Sequence, residues 1–269
     1  MPAVDALFVG NAIMDVFGSC DDTFLTTHEI EKGSMTLVDE ARALTLYNAM
    51  SGAQEQSGGS AANSAFGFAM LGGSAAFSGK LADDEVGNSF VANLSSGNVQ
   101  FSGTIAADGP ASARSMIFIT PDAQRSMNTY LGASLTMTDT SIQDDITAKF
   151  IYLEGYLFDA PDGPAIFAKA AQLALATHAA LSLTLSDSWC VERHKDALST
   201  FIRDHVSILF SNQDEIQALL GTDDEDTITS FAREIDELIV TKGAVGADIW
   251  HKGEKISVSA SLQGSVIDT

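Results

Sequence analysis

Short runs of aliphatic, β-branched and aromatic residues alternate along the chain with longer stretches whose apolar positions recur at helical spacing. The runs are ALFVG (6–10), SAAFSG (74–79), FIYLEG (150–155), LSLTLS (181–186), SILFS (207–211) and ELIVTKG (237–243). Near-continuous apolar strands are those covered on both faces, so the pattern predicts a mostly parallel sheet with crossover helices. The helical stretches 60–71, 84–94, 161–178, 189–204 and 223–235 each carry enough apolar spacing to cover one face of that sheet. Alternation of this kind is the mark of a doubly wound α/β architecture. Two segments, 15–39 and 104–128, break the rhythm, and SARSMIFITPDAQRSMN reads as a β-hairpin turning at TPDAQ. They are expected to form a small β lid, leaving 1–14, 40–103 and 129–269 as the large α/β body.

Composition narrows the class. With 269 residues and 45% hydrophobic content, the chain can bury a sizeable core. Lys and Arg number 14 against 36 Asp and Glu, a formal charge of −22. Such a surface repels a nucleic-acid backbone and keeps the protein in solution, and any phosphate ligand must arrive with a cation or meet backbone N–H groups. Cys20 and Cys190 stand far apart and in no metal-ligand spacing, so neither a disulfide framework nor a zinc site is expected. The start, MPAVDALFVGNA, has Asp5 and no basic residue before its apolar run, which does not suit a secretory signal. The apolar region 165–185 is interrupted by Lys169, Gln172 and His178 and reads as a helix feeding a strand, not a membrane span. A cytoplasmic protein is expected.

Chemistry concentrates in SGGSAANSAFGFAMLGG (57–73). Without Cβ atoms, Gly58 and Gly59 let a ligand approach the main chain, and Ser60 is placed to cap the helix that follows. Asn63 then falls in the first turn, where an amide offers both a donor and an acceptor to vicinal sugar hydroxyls. A tightly packed small-residue helix accounts for the same letters. Two nucleotide fingerprints fail: GGSAAFSGKLA has Ser74 and Leu81 where a P-loop needs Gly and Ser or Thr, and GAVGAD (243–248) lacks the dinucleotide spacing.

Six elements in order, VGNAIMD (9–15), GGSAANS (58–64), GKLADDEVGNSF (79–90), SNQDE (211–215), VTKGAVGA (240–247) and VIDT (266–269), resemble the ribokinase-like, phosphofructokinase B type family of sugar and nucleoside kinases. The resemblance implies a three-layer α/β/α fold with a mostly parallel central sheet and a small β-rich lid. It implies that Asp15, Gly58, Gly59 and Asn63 hold sugar hydroxyls, with Glu154 nearby. Asn212 and Glu215 match an Asn-x-x-Glu element that positions Mg²⁺ and phosphate, often through water; a helix cap is the structural alternative. Thr241, Gly243 and Gly246 resemble the turn on which ATP lies, and Asp268 a position linked to a monovalent cation such as K⁺. The family's catalytic element, Gly-Ala-Gly-Asp, would begin just after Thr269, so no catalytic base is assigned within this sequence. Asn11, four residues before Asp15, and Leu131, six after Arg125, are similar to adenosine-kinase-like members. Ala12, Met14, Ala61 and Ala62 depart from their pattern. The expected activity is ATP-dependent phosphorylation of the primary hydroxyl of a nucleoside. A kinase for ribose, fructose or 2-keto-3-deoxygluconate, or a sugar-binding module without a base, are the alternatives, and monomer and homodimer are both open.

Overall fold

The computed structural model describes residues 3–261. Ala3–Val9, Ala75–Ser78, Thr147–Glu154, Ala180–Thr184, Ile208–Asn212 and Glu237–Thr241 lie parallel within one nine-stranded sheet. Val99–Phe101 extends it in parallel at one edge, and Gly246–His251 and Glu254–Ser259 extend it antiparallel at the other. Ala3–Val9 pairs on one side with Ala75–Ser78 and on the other with Thr147–Glu154, so the direction of winding reverses beside the first strand. In open α/β sheets ligands bind at such a reversal, outside the carboxyl ends of the strands.

Alternation along the first strand shows the three layers. Leu7 and Val9 join one core with Ile166 and Phe167 of Gly163–Thr177 and Leu198 and Ile202 of Ser188–His205. Ala6 and Phe8 face the opposite core, against Ala61 and Ala65 of Ser60–Met70 and Phe90 of Glu85–Ser96. Successive side chains of a strand point to opposite faces, so one seven-residue segment contributes to both cores. No helix among the described residues is long and apolar enough to cross a membrane.

A second, five-stranded sheet runs in the order Met35–Leu37, Arg125–Tyr130, Ala113–Ile119, Ile13–Ser19, Gln54–Gly58. Helices Asp22–Thr27 and Glu40–Ala49 cover one face, packing Leu25, Ala43 and Leu46 on Met116 and Phe118. The hairpin turns where TPDAQ places it: Thr120 N donates to Gln124 O at 3.0 Å, and Ala123 takes a left-handed φ of 62°. Membership of this sheet differs from the borders read in the sequence. Gln54–Gly58 pairs with Ile13–Phe17 although it was assigned to the large body, because QEQSG is too polar to announce a strand and depends on its partner. Thr104–Ala106, assigned to the lid, instead pairs with Lys80–Ala82 in a separate two-stranded ribbon.

Phe77 is fully buried, with its ring centroid 5.8 Å from that of Phe90 and 6.5 Å from that of Phe101. Truncation there leaves a cavity that the strand backbone cannot collapse into. Phe77→Ala is expected to cost about 3–5 kcal/mol, read from the midpoint of chemical denaturation. A loss under about 1 kcal/mol would contradict this packing.

Candidate functional site

The parallel strands end in register, so their last residues form one edge. Register pairs join Val9 with Leu153 and Ser78, Glu154 with Thr184, Thr184 with Phe210, and Asn212 with Thr241. Most of the residues singled out from the sequence stand along or just above this edge.

Glu154 ends its strand at the winding reversal and is only 1% exposed. Its Oε1 accepts from Asn11 N and from Asn11 Nδ2, both at 2.8 Å, and its Oε2 accepts from Ala61 N at 2.8 Å. Burial pushes the carboxyl up to about 7, against the pull of these three donors. Gly10 is bare for the same reason, since a Cβ there would collide with this carboxylate and with Ala61. Glu154 therefore lies beneath the site, and Asn11 turns its amide N–H inward to meet it. Both hold the loop after the first strand against the start of the glycine-led helix.

Gly59 is the N-cap of Ser60–Met70, with φ +92°, and a Cβ on it would run into the Asn11 carbonyl. Only glycine fits such a position. Ser60, read as the cap, is the first helical residue instead, because the chain needs the left-handed turn one residue earlier. Asn63 N donates to Gly59 O at 2.9 Å, while the Asn63 residue is exposed at the surface. Gly58 pairs with Ile13, and a Cβ there would strike the Asp15 carboxylate. The missing side chain at Gly58 thus makes room for Asp15, not for a ligand touching the main chain. The structure brings Asp15 and the N-terminal turn carrying Asn63 to the same pair of glycines.

Asp15 belongs to the second sheet, on the face opposite its two helices. It sits in register with Ser115, which pairs with Thr129, and the Ser115 and Thr129 hydroxyls are 2.8 Å apart. Ile13, Phe17, Ile117 and Met127 occupy alternate positions on this face. Burial raises the Asp15 carboxyl to about 7, and the charge of Arg125 opposes the rise. Leu131 follows Arg125–Tyr130, and its carbonyl accepts from Ser134 N at 3.0 Å as the chain leaves the second sheet.

Farther along the edge, Asn212 and Glu215 close a reciprocal capping box on Gln213–Leu220. Asn212 Oδ1 accepts from Glu215 N at 2.8 Å, and Asn212 N donates to Glu215 Oε2 at 2.9 Å. Asn212 Nδ2 also donates to Glu215 Oε1 at 2.7 Å. The cap is the arrangement present. Burial raises the Glu215 carboxyl above its ordinary value, and repulsion from Asp187 and Asp214 adds to the rise. A divalent cation nearby would relieve that repulsion, so the donors suit Mg²⁺ held at a distance through water. Among the described residues no group of three or more His, Cys, Asp or Glu is placed to hold a metal directly.

Thr241 is exposed beside Asn212, its Oγ1 donating to Ser211 O at 3.3 Å. The turn after it carries Gly243 at φ +55° and Gly246 at φ +127°, where a Cβ would collide with the Val258 carbonyl. It is a 3₁₀ turn joining Glu237–Thr241 to Gly246–His251, with open space over Gly243. Asp268 lies outside the described residues. Gly10 and Asp187 escaped the sequence reading. The signal for Asp187 was the SDS that follows LSLTL, since its Oδ1 caps Ser188–His205 by accepting from Cys190 N at 2.6 Å. Two surface hollows lie elsewhere: one of about 250 Å³ beside Cys20 and Met50, the other of about 470 Å³ between Phe158 and Phe201. Neither includes a residue of the edge.

The pfkB family carbohydrate kinase profile matches residues 35–269. The chain is similar to guanosine-inosine kinase of Escherichia coli K12, with 23% identity covering 88% of this chain, and it spans only 58% of that relative's length. Among solved structures it is similar to adenosine kinase from Sinorhizobium meliloti, with 40% identity, a TM-score of 0.88 and coverage of 99% of this chain and 83% of that one. It is also similar to a probable sugar kinase protein from Rhizobium etli CFN 42, with 39% identity, a TM-score of 0.90 and coverage of 100% and 83%. An edge with a glycine-led helix start at the winding reversal and a glycine turn at its far end, on a fold shared this closely, settles the ancestry: the chain belongs to the pfkB family of carbohydrate kinases.

Proposed function

We propose that the chain is the phosphotransferase body of an ATP-dependent kinase acting on the primary hydroxyl of a nucleoside of the adenosine type. One observation carries this reading. Asp15 and the Gly59-capped helix start meet at one end of the sheet edge, and Asn212 and Thr241 pair at the other, on strands three and four steps from the first. At about 4.8 Å per strand, four steps span roughly 19 Å. That is room for two substrates end to end, with the transferred group between them.

In this reading the Asp15 carboxylate and the Asn63 amide take neighbouring ribose hydroxyls, and Asn11 and Glu154 fix the loop and helix that present them. The turn at Thr241, Gly243 and Gly246 receives ATP against bare backbone. Glu215 and Asp187 would sit outside the water shell of Mg²⁺, which neutralises phosphate charge when bound. The second sheet acts as a lid, the face that carries Asp15 between Ile13 and Phe17 covering the base and excluding water. The division into lid and body, a cytoplasmic location and any role of K⁺ belong to the same proposal. The similarity to the Rhizobium etli protein supports a second reading, a kinase for a free sugar. Calorimetric titration with adenosine, guanosine, ribose and fructose separates the two. Adenosine or guanosine is expected to bind at least about tenfold more tightly than either sugar; sugar binding alone would overturn the nucleoside reading.

Asp15→Ala and Asn63→Ala are each expected to weaken nucleoside binding by about tenfold or more, since each deletes a partner of a ligand hydroxyl. Unchanged affinity in both would remove the cradle. The pH dependence follows from the Asp15 carboxyl near 7. Ligand hydroxyls donate to the ionised form, so below pH 7 binding must first drive off a proton. Affinity is expected to fall by up to about tenfold per pH unit below 7 and to level above it. Asp15→Asn flattens this profile while leaving Glu154 in place, and an unaltered profile in that variant would show that another group sets it.

A further inference from the structure

Helices Gly163–Thr177 and Ser188–His205 leave a groove of about 470 Å³ between them, away from the strand edge. Three phenylalanine rings form its floor. The centroids of Phe158 and Phe167 are 4.0 Å apart, and those of Phe167 and Phe201 are 4.8 Å apart at nearly a right angle. All three rings belong to the buried core, so close packing keeps the floor in shape. Ala168 and Ala197 line the walls as exposed residues, with side chains too small to cover the rings.

The polar chemistry is at the rim. Asp196 and Asp204 line the groove from one helix, beyond its kink at His194. The eight residues between them, at a rise of about 1.5 Å each, set them roughly 12 Å apart. Positions four apart share a helix face, so Asp196, Thr200 and Asp204 run along one side of the groove. Among the described residues neither carboxylate has a hydrogen-bond or ion-pair partner. The basic side chains of the two helices turn elsewhere. Lys169 pairs with Asp144, Arg193 with Asp159 and Arg203 with Glu234, while Lys195 reaches toward Gly221.

A ligand that answers both features needs an apolar body for the floor and positive charge at two points roughly 12 Å apart. A neutral apolar molecule satisfies the rings and leaves the carboxylates to water. A second copy of the chain, at −22, is repelled, and so is an anionic membrane. A single metal ion cannot be shared by carboxylates so far apart. We propose that the groove binds a linear aliphatic polyamine, its methylene chain laid on the phenylalanine floor and its terminal ammonium groups at Asp196 and Asp204. Methylene burial supplies affinity, and ammonium ions are also drawn to aromatic faces. The acidic surface raises the local concentration of such cations, while the spacing of the two carboxylates selects their length. The site is separate from the strand edge and does not depend on the nucleoside reading.

Titration calorimetry at about 0.15 M salt, with 1,8-diaminooctane and 1,4-diaminobutane, tests the selection by length. Both probes carry two positive charges, so a diffuse counter-ion atmosphere holds them alike. Eight extended methylenes reach from one carboxylate to the other, and four do not. 1,8-Diaminooctane is expected to bind at least about tenfold more tightly. Octylamine, with the same apolar length and one charge, is expected to bind about threefold more weakly than that diamine. Replacing both carboxylates together, Asp196→Asn with Asp204→Asn, leaves the core untouched because both are exposed, and should bring 1,8-diaminooctane down to the affinity of octylamine. Ala197→Arg, which covers the floor and sets a guanidinium between the carboxylates, should remove binding of both. Equal affinity for the two diamines, or no binding of 1,8-diaminooctane, would overturn the inference. Undiminished binding to the doubly substituted chain would place the diamine elsewhere and overturn it too. Octylamine bound as tightly as 1,8-diaminooctane would show an apolar seat without paired charges, which also contradicts it.

Discussion

One buried carboxylate holds the working end of this molecule together. Glu154 has lost nearly all contact with water, and three N–H groups from two distant segments replace it. Burying such a group is tolerable only when it is neutral or fully hydrogen-bonded, and each bond here also fixes geometry. Asn11 N and Nδ2 anchor the loop after the first strand, and Ala61 N anchors a helix whose first turn has free N–H groups to offer. Gly10 and Gly59 are bare because the three pieces approach too closely for any Cβ. Beside that knot stand Asp15, packed at Gly58, and the helix turn that carries Asn63, the two members of the proposed cradle.

Charge gives the second constraint. A chain with 36 acidic and 14 basic residues does not attract phosphate through its overall field. The far end of the edge offers geometry instead: Gly243 stands open at positive φ, and Gly246 is bare because the Val258 carbonyl leaves no room for a Cβ. Its carboxylates, Glu215 and Asp187, repel each other, and in the proposed function a cation between protein and phosphate would relieve that repulsion. The proposed acceptor needs no positive charge, since its hydroxyls would donate to the Asp15 carboxylate. Acidic composition and kinase ancestry are compatible on these terms.

Much of the large sheet was legible in the sequence because its strands are buried on both faces, and a fully buried strand has nothing polar to hide. LSLTLS and SILFS announce themselves, and TPDAQ names its own turn. Gln54–Gly58 was not legible, since a polar strand owes its existence to Ile13–Phe17 and no local pattern records a partner. The glycines at 58 and 59 were found for a reason that holds only in part. Their lack of Cβ atoms admits Asp15 and the Asn11 carbonyl, side chain and backbone of this chain, before any ligand. Glu154 and Asn11 were picked out by family resemblance as ligand contacts. Burial and long-range hydrogen bonding, which only the fold reveals, show both tying the loop after the first strand to the start of the glycine-led helix.

The central claim is spatial, and a structure of the chain with adenosine bound tests it most directly. The account predicts two ribose hydroxyls within hydrogen-bonding distance of the Asp15 carboxylate and the Asn63 amide, above an unchanged Glu154, Asn11 and Ala61 cluster. Adenosine seated elsewhere on the molecule, with Asp15 and Asn63 both in contact with solvent alone, would contradict it.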